Sequence, residues 1–227
     1  MPTRFEPCIT GEIYHIFNKT LDKRKIFHDA HLAQLFLETL NYYQSSKVNL
    51  SFSQFKLLLP NNQIMLQKEF GLRKYFRVDI LAYCLMPNHF HLLVKQKRDV
   101  GISRYISDCI NSFTRNYNLR TKRVGPVFLP TFRAEHIRSD EQLLHVSRYI
   151  HLNPYTSSLI HSLEGLKHYP WSSFLEYITD GEIKKSLSHP FMVLSFFDKN
   201  KKKYEEFVLA NADYQRTLDH VKHLEKW

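Results

Sequence analysis

Two hydrophobic periods alternate along the chain. Glu12–Asn18 is dense in β-branched and aromatic residues and predicts a strand. A polar connection, Lys19–Lys25, follows it. Leu32, Leu35, Phe36 and Leu40 then recur at helical spacing behind Asp29, a capping residue, and predict a helix over Asp29–Gln44. Residues 45–74 are broken by Leu57-Leu-Leu-Pro-Asn-Asn-Gln and read as an insertion with some helix. Two apolar runs, Tyr75–Met86 and His89–Gln96, flank the turn dipeptide Pro87-Asn88 and predict a hairpin.

The pattern continues with a helix from Ser103 to about Leu119 and a strand over Val127–Ile137, interrupted by Pro130. Ser139, with Gln142 three residues on, opens a second long helix that runs to about Asn153 and should stop at Pro154. Tyr169-Pro-Trp-Ser-Ser-Phe reads as a loop entering a short helix, and residues 198–227 as a charged amphipathic tail. The order strand, helix, two strands, helix, strand, helix predicts an α+β domain: an antiparallel sheet covered by helices.

Composition narrows the class. With 227 residues, 43% of them hydrophobic, the chain can bury one core. Three cysteines, Cys8, Cys84 and Cys109, are too few and too scattered for a disulfide framework or a thiolate zinc cage. No apolar run approaches the ~18 residues of a membrane span, and Met1-Pro-Thr-Arg-Phe-Glu-Pro has no secretory apolar stretch. The expectation is a cytoplasmic globular protein with no membrane partner.

Charge adds a location. Residues 95–138 hold ten Lys/Arg against three acids, so +7 of the net +10 lies there. The cations include Lys95, Arg104, Arg115, Arg120, Lys122, Arg123 and Arg133, interleaved with Tyr105, Phe113, Tyr117, Phe128 and Phe132. Cations for phosphates beside flat faces for bases suit a single-stranded nucleic-acid groove. The same pattern also fits a solvated helix face over core aromatics.

Two constellations can carry chemistry. In His89-Phe90-His91 the two imidazoles share one strand face, either as two thirds of a divalent-metal site or as two histidines on a polar face. In the helix His145–Asn153, Leu143, Val146 and Ile150 should be buried, Arg148 should point away from the core, and Tyr149 and Asn153 should project together at the border. Alone, these two read as a packed tyrosine with a wet hydroxyl and a helix-end asparagine. Taken together with the histidines they suggest a mechanism. A phenol is a poor nucleophile unless helped, and a metal beside it polarises a scissile phosphate. Asn153 offers the third ligand one turn from Tyr149, and Mg²⁺ or Mn²⁺ suits such nitrogen and oxygen donors.

These residues resemble the single-tyrosine HUH transposases, in particular the REP-associated tyrosine transposases. The resemblance rests on Tyr14-His-Ile-Phe-Asn, Tyr83-Cys-Leu-Met-Pro-Asn-His-Phe-His-Leu-Leu-Val94, Arg148-Tyr-Ile-His-Leu-Asn-Pro154 and Tyr169-Pro-Trp-Ser-Ser173, in family order over roughly residues 12–177. It implies a ferredoxin-like or RRM-like sheet with the histidine pair on a central strand. It implies Tyr149 as the nucleophile on single-stranded DNA carrying hairpin structure, leaving a 5′-phosphotyrosine and a free 3′-OH. His89, His91 and Asn153 match its metal ligands. The domain it implies spans residues 1–180, with 45–74 inserted and 181–227 as a helical extension. Relatives include dimers, so a homodimer is one expected state.

The chain departs from the family in places. A Phe-Gln-x-Arg-Phe run is usual before the catalytic helix; here Phe128-Leu-Pro-Thr-Phe132 precedes Arg133. Asn18-Lys19 stands where Arg-Gly is common, which passes the phosphate contact to Lys19. Two rival readings use the same residues: a non-catalytic DNA- or RNA-binding module working through its basic stretch, and a hydrolase that uses water in place of Tyr149.

Overall fold

The structure is a computed structural model that describes residues 7–179 and 186–217. Its elements follow in chain order: β1 (Ile13–Lys19), α1 (Ala30–Tyr43), α2 (Phe52–Lys56), α3 (Pro60–Phe70), β2 (Val78–Met86), β3 (His89–Gln96), α4 (Gly101–Thr121), β4 (Arg133–Ile137), α5 (Asp140–Thr156), α6 (Leu163–Lys167), α7 (Phe174–Ile178), α8 (Phe191–Leu194) and α9 (Lys201–Leu209). The four strands form one sheet in the order β2-β3-β1-β4. With β1-α1-β2-β3-α4-β4 as its core, this is the expected ferredoxin-like α+β arrangement. The chain clusters into two compact units, and both draw on the sheet. One takes in residues up to Asp79, Pro87–His89 and Val94–His136; the other takes in Ile80–Met86, Phe90–Leu93 and residues from Ile137 onward.

In the first unit α1 and α4 pack on each other, and the Tyr105 hydroxyl donates to the Leu40 carbonyl between them at 3.0 Å. Asp29 caps α1 by accepting from the His31 and Leu32 amides. Phe27, Phe36, Phe113 and Phe128 form one cluster, with ring centroids 5.1–6.2 Å apart. Tyr105, Phe113 and Phe128 are therefore core residues. The base-stacking reading of the basic stretch fails for these three, because hydrophobic burial claims the apolar stripe of α4 and the ring of Phe128 beyond it. Residues 45–74 contain α2, opened by a Ser51–Gln54 capping box, and α3, with proline in its first turn.

Two boundaries in this region differ from the sequence pattern. Arg73–Tyr75 is a 3₁₀ turn, so β2 begins at Val78 and not at Tyr75. The expected strand over Val127–Ile137 shortens to β4, and ahead of it Phe128 pairs with Thr20 through an isolated bridge. Pro126 and Pro130 lack the N–H a ladder needs, and Gly125 takes a positive φ of 95°.

Every residue of β2 is buried although the strand lies at one edge of the sheet order. The segment Tyr169–Phe174 covers that edge. Leu85 N donates to Trp171 O at 2.8 Å, Ser173 N donates to Tyr83 O at 3.0 Å, and the Tyr169 hydroxyl donates to Leu85 O at 2.7 Å. An exposed edge would otherwise invite pairing with another chain.

Ser139 caps α5 through the Gln142 amide, as its sequence predicts. The helix then runs past Pro154 to Thr156. The proline falls in the last turn, where the chain closes with Ser157 N on Asn153 O at 3.1 Å and Ile160 N on Pro154 O at 2.8 Å. Leu143 and Ile150 are buried as expected, and Val146 is half-buried. Arg148 is buried as well, contrary to its place on the helical wheel. Its guanidinium lies 4.6 Å from the Phe207 ring centroid and bonds His145 Nδ1 at 2.7 Å. A wheel drawn for one buried face misses α9, which packs on α5 with Phe207 and Tyr204. Of the expected tail, α9 is described; residues 180–185 and 218–227 lie outside the described residues.

Candidate active site

His89 and His91 open β3, and the two-residue strand period sets both rings on one face. Phe90, between them, is fully buried on the other. Two bonds, Thr20 N to Asn88 O at 2.8 Å and Gln96 N to Glu12 O at 2.9 Å, fix the antiparallel register of β1 and β3 and set Lys19 opposite His89. Burial, with the Lys19 charge beside it, pushes the His89 imidazole down to about 4, so the ring is neutral near pH 7. Its Nδ1 lies 2.8 Å from Asn88 Oδ1. A neutral ring that donates there carries its lone pair on Nε2. The sequence had shown Asn88 only as half of a turn.

His91 is buried, and its ring meets that of Tyr149 on α5 edge-on, with centroids 5.6 Å apart. Tyr149 is half-buried, as the border position requires. Asn153, one turn further along α5, donates from Nδ2 to the Tyr149 carbonyl at 2.9 Å. This fixes the amide plane and leaves Oδ1 as the acceptor atom. Among the described residues no three His, Cys, Asp or Glu side chains gather as a metal cluster. The donors singled out from the sequence are two imidazoles and a carboxamide oxygen, and that chemistry fits Mg²⁺ or Mn²⁺.

The polar chain under α5 carries no local sequence signal. His151 is fully buried. Its Nε2 lies 2.8 Å from Ser173 Oγ and its Nδ1 2.8 Å from the Tyr204 hydroxyl. Ser173 Oγ accepts from Tyr83 N at 2.8 Å, and the Tyr204 hydroxyl is 3.2 Å from Ser147 Oγ. Burial pushes the His151 imidazole down to about 3 and keeps it neutral.

The eight cations singled out by sequence fall in the first unit. Lys19, Arg104, Arg115, Arg120, Lys122 and Arg133 are exposed, and Lys95 and Arg123 are half-buried. Arg104 and Arg115 lie eleven positions apart on α4, about three turns, and so share one side of it. Arg123 packs 5.9 Å over the Tyr117 ring. Lys97 and Arg98, from the same basic stretch, are held within the chain by Asp79 and by the Lys74 carbonyl. His136 stacks on Tyr14 with centroids 5.0 Å apart and pairs with Glu12 at 2.9 Å. Cys84 is fully buried in β2, a core residue as read from sequence.

Comparison with known proteins adds a partial family match and a similar fold. Residues 66–153, which contain both histidines, Tyr149 and Asn153, match the family model described as IS200-like transposases. Among solved structures, a REP-associated tyrosine transposase bound to a REP hairpin matches with a TM-score of 0.54 at 14% identity, covering 83% of this chain and 98% of that one. Comparison with curated proteins gives no match. No helix among the described residues is long and apolar enough to cross a membrane. Through the segment that carries its candidate site, the chain is similar to the IS200-like transposases.

Proposed function

We propose that this protein is a metal-dependent transposase-type endonuclease that cleaves and rejoins single-stranded DNA at hairpin-bearing elements. The observation that carries the reading is the placement of the Tyr149 ring against His91, with Asn153 bonded to the Tyr149 backbone. A simple binding protein has no need of that arrangement. The similar solved structure, a REP-associated tyrosine transposase bound to a REP hairpin, supports hairpin DNA as the substrate class.

In this reading His89, His91 and Asn153 hold a divalent cation, Mg²⁺ or Mn²⁺. The chemistry such an ion supplies is withdrawal of charge from the scissile phosphate. The Tyr149 oxygen attacks phosphorus, the new O–P bond forms, and the P–O3′ bond breaks. The phenolic proton is lost and the departing 3′ oxygen gains one, leaving a 5′-phosphotyrosine and a free 3′-OH. Phosphodiester energy stays in the adduct, so rejoining is the reverse attack by a 3′-OH. Lys19, opposite His89, contacts the phosphate backbone, and Arg104 and Arg115 extend the cationic track along α4.

The test is to incubate the protein with hairpin-bearing single-stranded DNA and Mg²⁺ or Mn²⁺ and resolve the products under denaturing conditions. A protein–DNA band that disappears in Tyr149→Phe is expected. Cleavage that persists in that variant assigns the attack to water. Binding without cleavage in either metal reduces the protein to a binding module.

A further inference from the structure

Two sequence motifs, Tyr149-Ile-His-Leu-Asn153 and Tyr169-Pro-Trp-Ser-Ser173, are joined in the structure by a bond the reaction itself does not use. His151 sits between them, fully buried, and touches Ser173 on one ring nitrogen and Tyr204 on the other. Ser173 is fixed in turn by the Tyr83 amide of β2, and Tyr204 belongs to α9. Ser147 continues the chain on α5, where its Oγ donates to Leu144 O at 2.8 Å. One edge strand, the catalytic helix and α9 are thereby tied by one continuous set of buried hydrogen bonds. Such networks fix a geometry because every partner lost leaves a buried polar atom unsatisfied.

We infer that Ser173, His151 and Tyr204 are positioning residues that lock the rotation and depth of α5, and with it the Tyr149 hydroxyl and the Asn153 amide. The inference rests on the proposed role of Tyr149. The geometric argument is direct. His151 lies two residues from both Tyr149 and Asn153, so a turn of the helix about its axis moves all three together. Apolar packing of Leu143 and Ile150 alone tolerates such sliding; paired hydrogen bonds at two opposite ring atoms do not. The network also explains why Tyr169-Pro-Trp-Ser-Ser173, which carries no residue of the site, accompanies the catalytic helix in this sequence. Tyr169, Trp171 and Ser173 clamp the edge of β2, and Ser173 hands that fixed point to the helix.

The experiment compares full-length Tyr204→Phe and Ser173→Ala with wild type in three measurements. These are the single-turnover rate of adduct formation at saturating hairpin DNA, the affinity for that DNA, and amide hydrogen exchange. The adduct rate should fall roughly tenfold to a hundredfold, while DNA affinity stays within about twofold. Amides of residues 147–153 should exchange at least about tenfold faster while β3 amides keep their protection. Unchanged exchange in α5 overturns the inference, as does faster exchange with a wild-type adduct rate. If wild type itself yields no adduct, the proposed reaction fails, and exchange alone decides whether the network anchors the helix. Should Ser173→Ala not fold, Tyr204→Phe, which keeps the ring, carries the same decision.

Discussion

His91 and Tyr149 meet ring to ring, at 86° between planes and 5.6 Å between centroids. The contact is aromatic and seats the phenol beside the imidazole. On the proposed reading, removing the imidazole has two separable effects: loss of a metal donor and loss of a packing surface. His91→Ala should abolish adduct formation and lower Mn²⁺ affinity while largely sparing hairpin binding. His91→Phe should restore the packing, and hence the melting temperature, without restoring Mn²⁺ binding. Isothermal titration with Mn²⁺, thermal melting and filter binding of labelled DNA check the three parts. Equal loss of metal and DNA binding in both variants would contradict a metal role.

Asn88 orients His89 by accepting from its Nδ1 side at 2.8 Å. A ligand histidine held by its second nitrogen keeps its tautomer and ring angle, and losing such a partner typically costs about ten- to a hundredfold in metal affinity. Asn88→Ala should weaken Mn²⁺ binding by about that factor. Asn88→Asp, which keeps the acceptor oxygen, should recover most of it. Titration of the two variants with Mn²⁺ settles the point, and equal affinity for wild type and Asn88→Ala would remove Asn88 from the site.

The parts legible in the sequence were those that a local period encodes. The hairpin around Pro87-Asn88, the caps Asp29 and Ser139, and the one-sided histidine pair all follow from spacing and turn chemistry within a few residues. What stayed hidden depends on partners far along the chain. Arg148 looks solvent-facing on a wheel, yet Phe207 covers it. His151 looks like any helical histidine until Ser173 and Tyr204 arrive from 22 and 53 residues away. The aromatics of the basic stretch misled for the same reason. Cations and rings alternate in sequence, but the helical turn sends Tyr105 and Phe113 inward and leaves Arg104 and Arg115 outside.

That separation gives the basic stretch two different phenotypes. Arg115→Ala and Arg104→Ala remove exposed charge and should each reduce the slope of log K against log salt for single-stranded DNA by about 0.7. Phe113→Ala opens a void in a cluster of four rings and should cost about 3–5 kcal/mol of stability. Arg98→Ala, which loses its hold on the Lys74 carbonyl, should leave the salt slope near the wild-type value. Salt titrations of DNA binding, paired with urea melts, measure both. A full salt slope in Arg104→Ala and Arg115→Ala would move the DNA track off α4.

The acid side of stability offers a test independent of DNA. His15 on β1 is buried, and burial lowers its imidazole from 6.5 to about 4. Glu135, 3.7 Å away and mostly exposed, does not hold the proton on. The folded chain therefore refuses a proton that the unfolded chain accepts below 6.5. Unfolded binding exceeds native binding between about 6.5 and 4, so stability rises with pH across that window and is lost as pH falls through it. One such histidine contributes about 1.4 kcal/mol for each pH unit within the window. His15→Gln keeps a polar side chain but removes the titration. Its urea-derived stability, measured from pH 7 down to pH 4.5, should fall less steeply than wild type by close to one proton's worth of slope. Parallel curves for the two proteins would mean that His15 takes up its proton in the folded state as readily as in the unfolded one.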